Sequence, residues 1–150
     1  MIDIDLHTYK EKLKLKKERG KVYVFDIIRK KYLVLQPEEL IRQLTIYFLI
    51  EKGYPKEKIQ VEKGLIINGL ARRFDIIVYS AEFEPYLLVE CKAHTVQIDQ
   101  KTFDQMAIYN LAVKAPYLMA CNGVQTYCCK LNFSEKTFEH LSAIPDYGVQ

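Results

Sequence analysis

Cysteine and histidine are both scarce, at four and three residues in 150. Cys91, Cys121, Cys128 and Cys129 form no C-x-x-C pair and fall in apolar, strand-like stretches, so they read as free buried thiols rather than zinc ligands or disulfides. His7, His94 and His140 are scattered, and none stands at helical spacing from another, which gives no support to a histidine metal pair or catalytic triad. No apolar run approaches the roughly 20 residues of a membrane helix. The first residues also lack the basic-then-apolar order of a signal peptide, so a soluble, cytoplasmic chain with no membrane partner is expected. Charge of one sign is missing too. Lys and Arg number 22 against 19 Asp and Glu, a net charge of +3, so any site for a polyanion has to come from local clustering. There is no G-x-x-x-x-G-K-[ST] phosphate loop, so no ATP chemistry is expected, and there is no internal repeat.

What is present is core. Hydrophobic residues make up 49% of the chain and charged ones 27%, which suits one compact domain. Residues 1–20 carry the lysine-rich run YKEKLKLKKERGK and are expected to form a solvated, partly mobile basic arm. Residues 21–150 are expected to form the single domain. Its first stretch, KVYVFDIIRKKYLVLQ, has the Val, Ile, Tyr and Leu content of short strands. Pro37, Glu38 and Glu39 open a helix: proline fits the first turn and acids there complement the helix dipole. Leu40, Ile41, Leu44, Tyr47 and Phe48 give it an apolar face, and Gly53 with Pro55 ends it. IQVEKGLIIN, ARRFDIIVYS and PYLLVECKA then read as an antiparallel meander with short turns. A second helix follows from about Ile98 to Lys114, with Phe103, Met106, Ala107 and Asn110 on one side. PYLMACNG and VQTYCCKLN supply two more strands around an Asn122-Gly123 turn, and the remainder reads as a loose tail. Tyr23, Tyr32, Tyr47, Tyr54, Tyr79, Tyr86, Tyr117 and Tyr127 read as packing residues rather than stacking platforms.

Three charged residues interrupt the central strands. Side chains two apart on a strand share a face, so Glu90 and Lys92 project together while Val89 and Cys91 point the other way. By the same alternation Asp75 departs from the face of Phe74, Ile76 and Val78, and antiparallel pairing can bring it beside Glu90. Two carboxylates and an ammonium in a half-buried spot are costly unless they serve each other or an ion. An isolated E-x-K is most often a plain ion pair. Here it is preceded by a helix acid and a strand acid, and followed by a helix on which Lys101, Gln105 and Tyr109 share a face. Hard oxygen ligands from Asp75 and Glu90, with the main-chain carbonyl of Cys91, suit Mg²⁺ and phosphodiester hydrolysis. Lys92 would then orient or deprotonate water, or contact phosphate.

Taken together, FDIIRKKYLVLQPEELIRQ, RRFDIIVY, LLVECKA, FDQMAIYN and ACNGVQTY resemble the PD-(D/E)xK nuclease superfamily, specifically the N-terminal nuclease domain of type I restriction-enzyme R subunits and their small standalone relatives. The resemblance implies a restriction-endonuclease-like α/β (α+β) core of order αβββαββ, with a central mixed sheet flanked by helices. It also implies Asp75, Glu90 and Lys92 as catalytic core, Glu39 as the helix acid that assists metal binding, and Gln105 with Tyr109 as an accessory motif for DNA handling or cleavage. Phe74 stands where the name motif has proline. R subunits carry a helicase motor after this domain, and without a G-x-x-x-x-G-K-[ST] loop in these 150 residues no ATP-driven translocation by them is expected. The function expected is Mg²⁺-dependent DNA cleavage, with Mn²⁺ an alternative ion, DNA loaded by Arg72, Arg73, Lys101, Arg29, Lys30 and Lys31, and a homodimer suited to cutting both strands. The competing reading is a nucleic-acid-binding or assembly module of the same fold that does no hydrolysis.

Overall fold

The structure, a computed structural model, describes residues 1–148. A 3₁₀ helix at Leu6–Lys12 precedes strands β1 (Leu15–Glu18), β2 (Lys21–Asp26) and β3 (Lys31–Val34), which form an antiparallel three-stranded sheet. Helix α1 (Pro37–Glu51) follows, then β4 (Ile59–Ile67), β5 (Leu70–Tyr79), β6 (Pro85–Cys91), α2 (Gln100–Val113), β7 (Tyr117–Cys121), β8 (Thr126–Asn132) and β9 (Thr137–His140). The expected αβββαββ order is present, within a mixed α+β architecture. Strands β4 to β9 form a second sheet in sequence order, antiparallel throughout except for the β6–β7 pair. That parallel pair needs a crossover, which α2 supplies.

The central strands are buried on both faces, which explains their nearly unbroken apolar runs. Ile76, Val78, Leu87, Val89, Cys91, Met119 and Cys121 meet Ile41, Leu44 and Leu49 of α1. On the other face Ile77, Leu88, Leu118 and Ala120 meet Phe103 and Met106 of α2. Full burial of each Leu, Ile or Phe contributes about 1.5–3 kcal/mol, so the two helices clamp the sheet from opposite sides. All four cysteines are free and buried, as their surroundings in the sequence suggest. No helix among the described residues is long and apolar enough to cross a membrane.

Two segments depart from expectation. Residues 1–20 are built into the fold rather than forming a mobile arm: Ile2 and Leu6 are buried against α1, the Ile2 N–H donates to the Thr126 carbonyl at 2.8 Å, and β1 pairs along its length with β2. The lysines obscure an apolar rhythm of Ile2, Ile4 and Leu6. This added cover buries α1 over most of its circumference from Ile41 to Ile46, more than the single expected stripe. The C-terminal segment, described as far as Gly148, is no loose tail either; the last two residues of the expected tail lie outside the described residues. It contributes β9, and Tyr54 and Tyr86 donate their hydroxyls to the carbonyls of Pro145 and Asp146 at 2.6 and 2.8 Å.

Candidate active site

Strand β6 carries Glu90 on the α2 side of the sheet, since its neighbours Val89 and Cys91 belong to the α1 core. Lys92 follows immediately after the strand and is fixed by its N–H, which donates to the Cys121 carbonyl at 2.9 Å. Its ammonium lies 3.3 Å from Glu90 Oε1. Burial and the nearby Asp75 charge push the Glu90 carboxyl up to about 7, against the pull of Lys92.

Asp75 sits where strict alternation fails. Glu62, aligned with it across the β4–β5 ladder, has left-handed backbone (φ 55°), and the pleat reverses there. Phe74 therefore packs with Ile77 on the α2 side, whereas Ile76 and Val78 face α1. Sequence alternation had put Phe74, Ile76 and Val78 together. The β5–β6 register stops at Ile76 and Val89, and beyond it the Cys91 N–H donates to Asp75 Oδ2 at 2.8 Å. Asp75 thus completes the sheet with its side chain.

Its other oxygen meets a residue that the sequence reading passed over. Arg42 donates through Nη2 to Asp75 Oδ1 at 2.7 Å, lies 2.7 Å from Glu62 Oε1 through the same nitrogen, and donates through Nη1 to Glu39 Oε1 at 2.7 Å. Its burial disfavours the charged guanidinium, but the surrounding carboxylates, Asp75 foremost, outweigh this and raise its pKa. The available signal was positional: Arg42 stands three and four residues after Glu39 and Glu38 and beside the core residue Ile41. Glu39 itself is engaged by Arg42, Arg29 and Gln43, with Gln43 Nε2 donating to Oε2 at 3.0 Å. Its neighbour Glu38 is half exposed, and burial together with the Asp75 charge raises its carboxyl. Glu38 and Glu90 also interact electrostatically, so the acid of α1 that senses the strand pair is Glu38, whereas the expected Glu39 is linked to Asp75 through their shared Arg42.

A cavity of about 340 Å³ opens between β5, β6 and α2, lined by Arg72, Arg73, Phe74, Glu90, Lys92, Lys101, Thr102, Gln105, Met106 and Tyr109. Seven expected site residues meet there. Gln105 donates to the Tyr109 hydroxyl at 3.2 Å, and the Arg72 guanidinium lies 5.1 Å from the Tyr109 ring. Asp75 and Glu39 are not among the lining residues. Arg29, Lys30 and Lys31 lie elsewhere, at the β2–β3 turn. Arg29 is tied to Asp26 at 2.7 Å and to Glu39 at 3.2 Å, so it clamps that turn to α1 rather than standing free for a phosphate.

Among the described residues no group of three or more His, Cys, Asp and Glu side chains is gathered as a metal cage. The donors at hand are two hard carboxylates, with the Cys91 carbonyl adjacent in sequence. That set fits Mg²⁺ or Mn²⁺, because Mg²⁺ commonly takes one or two carboxylates and keeps several waters. The Glu90 carboxyl is raised by burial first and then by the Asp75 charge, which together outweigh the pull of Lys92.

The sequence model of the type I restriction enzyme R protein N terminus matches residues 37–145. The chain belongs to that family. The match runs from the first residue of α1 past β9, so it takes in the whole six-stranded sheet and both helices, while β1 to β3 precede it. A solved fragment of a putative HsdR subunit of a type I restriction enzyme from Vibrio vulnificus YJ016 is similar at 17% identity and a TM-score of 0.48, over 67% of this chain and 22% of that one. The R-protein N-terminal chain described here thus spans about a fifth of that relative's length. No curated protein matches it.

Proposed function

We propose that this protein is a Mg²⁺-dependent endodeoxyribonuclease acting in restriction or defence. The observation that carries the reading is the convergence of Glu90 and Lys92 with Lys101, Gln105 and Tyr109 around one cavity, directly beside the Asp75 carboxylate. Asp75, Glu90 and the Cys91 carbonyl would hold the ion, with Glu38 or Glu39 assisting from α1. A bound Mg²⁺ supplies Lewis-acid polarisation of the phosphate and lowers the pKa of water. Arg42 and the Cys91 N–H hold the Asp75 carboxylate in place. Glu90 would hold the ion as a carboxylate, and Lys92, 3.3 Å from Glu90, would contact a phosphate oxygen or a water. Arg72, Arg73 and Lys101 line the cavity and supply positive potential for the DNA backbone, while Gln105 and Tyr109 offer neutral donors. Cutting both strands calls for two such sites, which a homodimer would provide.

The non-catalytic alternative has one observation in its favour: Arg42 already bonds one Asp75 oxygen and the Cys91 N–H the other. Supercoiled plasmid incubated with Mg²⁺ separates the readings. The nuclease reading expects nicked or linear product that disappears with EDTA and in Lys92→Ala. Uncut plasmid across Mg²⁺ and Mn²⁺ at low salt, with a folded protein, would sink the nuclease reading. Faster cutting of RNA or single strands in the same assay would reassign the substrate.

A further inference from the structure

The sheet β1–β3 takes no part in the cavity and lies outside the family match, so it invites its own explanation. Its register aligns Lys16 with Tyr23, Tyr23 with Val34, and Phe25 with Tyr32. Directly paired residues share a face, which gathers Lys14, Lys16, Tyr23, Phe25 and Tyr32 on one side. Val24, on the other, is fully buried. None of the three rings belongs to either hydrophobic cluster, and Tyr32 keeps 40% of its surface exposed. The rings form a connected array: Phe25 and Tyr32 have centroids 5.2 Å apart, and the Lys16 ammonium lies 4.2 Å from the Tyr32 centroid and 5.9 Å from that of Tyr23. Lys14 stands 5.7 Å from the Phe25 centroid.

Charge is concentrated in the same segment. Between Lys10 and Lys31 ten lysines and arginines face three acids, a surplus of seven in a chain whose total surplus is three. The rest of the molecule is therefore net acidic. Glu18, the acid of β1, sits at the end of the face, 3.4 Å from Lys16.

Cation–π contacts at exposed sites contribute only about 0.5–1 kcal/mol each, a small return for leaving three aromatic faces outside the core. The combination suits a ligand that presents flat apolar rings joined by regularly spaced anions. We infer that this face binds single-stranded nucleic acid, with bases stacked on Tyr23, Phe25 and Tyr32 and phosphates taken by Lys14 and Lys16. A duplex hides its base faces in its own stack, so it would engage only the lysines. An acidic polypeptide would likewise leave the rings idle. Every base has a π-face, so the site would be tolerant of sequence, and its affinity would fall with salt.

The test uses the full chain in EDTA, so that cleavage plays no part, with fluorescein-labelled oligo-dT of twelve nucleotides followed by anisotropy. Tyr23→Leu and Tyr32→Leu are each expected to weaken binding about fivefold or more, whereas Tyr32→Phe, which keeps the ring, stays near wild type. Binding of the matched duplex should be unaffected by Tyr23→Leu and Tyr32→Leu. Because the chain has no tryptophan, Tyr32→Trp installs a lone indole whose fluorescence should be quenched by oligo-dT and unchanged by poly-glutamate. The inference is overturned if the leucine variants bind oligo-dT like wild type, or if poly-glutamate competes as well as oligo-dT. It also fails if binding is lost in Lys92→Ala and Lys101→Ala instead. Should a leucine variant misfold, an unquenched indole at saturating oligo-dT overturns it just as firmly.

Discussion

Glu90 allows the electrostatics of the cavity to be measured without substrate. Its carboxyl is pushed from the ordinary 4.5 to about 7 by burial and by Asp75. Between those values the folded chain holds a proton that the unfolded chain has released, so raising the pH through this window lowers the free energy of unfolding. At about 1.4 kcal/mol per pH unit the loss is about 1 kcal/mol at pH 5 and about 3 kcal/mol at pH 8. The second figure is a ceiling, because 27% of the Glu90 side chain reaches water. Glu90→Gln keeps the shape and abolishes the titration. Urea unfolding of both proteins should therefore give curves whose separation grows from pH 5 to pH 8 by up to about 2 kcal/mol in favour of the glutamine variant. Groups remote from Glu90 titrate alike in the two proteins and cancel. Mg²⁺ or Mn²⁺ at pH 8 should narrow the gap by stabilising wild type alone, by about 2.7 kcal/mol at a hundred times the dissociation constant. A separation equal at both pH values would refute the assigned environment of Glu90, and metal stabilisation of both proteins would move the ion elsewhere.

Arg42→Met leaves Asp75, Glu39 and Glu62 without their shared cation and should destabilise the fold by about 3–5 kcal/mol in urea unfolding. Cleavage activity should rise as pH passes through about 7, as Glu90 loses its proton more readily to the ion, and Glu90→Gln should be inactive at every pH tested. Tyr54→Phe removes the hydrogen bond to the Pro145 carbonyl and should cost about 1–2 kcal/mol, with faster limited proteolysis near the C-terminus as its local sign.

The regular elements were legible in the sequence because their signals were local. Pro37 with its two acids marked the start of α1, and the alternation of polar turns with apolar runs marked β4 to β8 to within a residue or two. Glu90, Lys92, Lys101, Gln105 and Tyr109 were found by spacing along one strand and one helix, and these are the residues that the cavity unites. What escaped depended on contacts distant in sequence. Arg42 looks like an ordinary exposed helix residue until β4 and β5 bring Glu62 and Asp75 to it. The placement of Phe74 required knowing that Glu62 adopts left-handed backbone, which no periodicity reveals. Residues 1–20 misled through composition, since lysines on the outer face of β1 obscured the anchors Ile2 and Leu6. Tyr23 and Tyr32 misled in the opposite sense: rings expected to pack turned out to belong to neither core.

The pleat reversal at Glu62 and Asp75 divides one hairpin between two masters. Below it Ile59, Val61, Ile76 and Val78 are seated against α1; above it Leu65, Ile67 and Phe74 are seated against α2. The acid at this pivot is tethered to α1 through Arg42 and to β6 through Cys91. The carboxylate is therefore held from the α1 side of the sheet while one wall of the neighbouring cavity is built on α2, so each helix governs one half of the site.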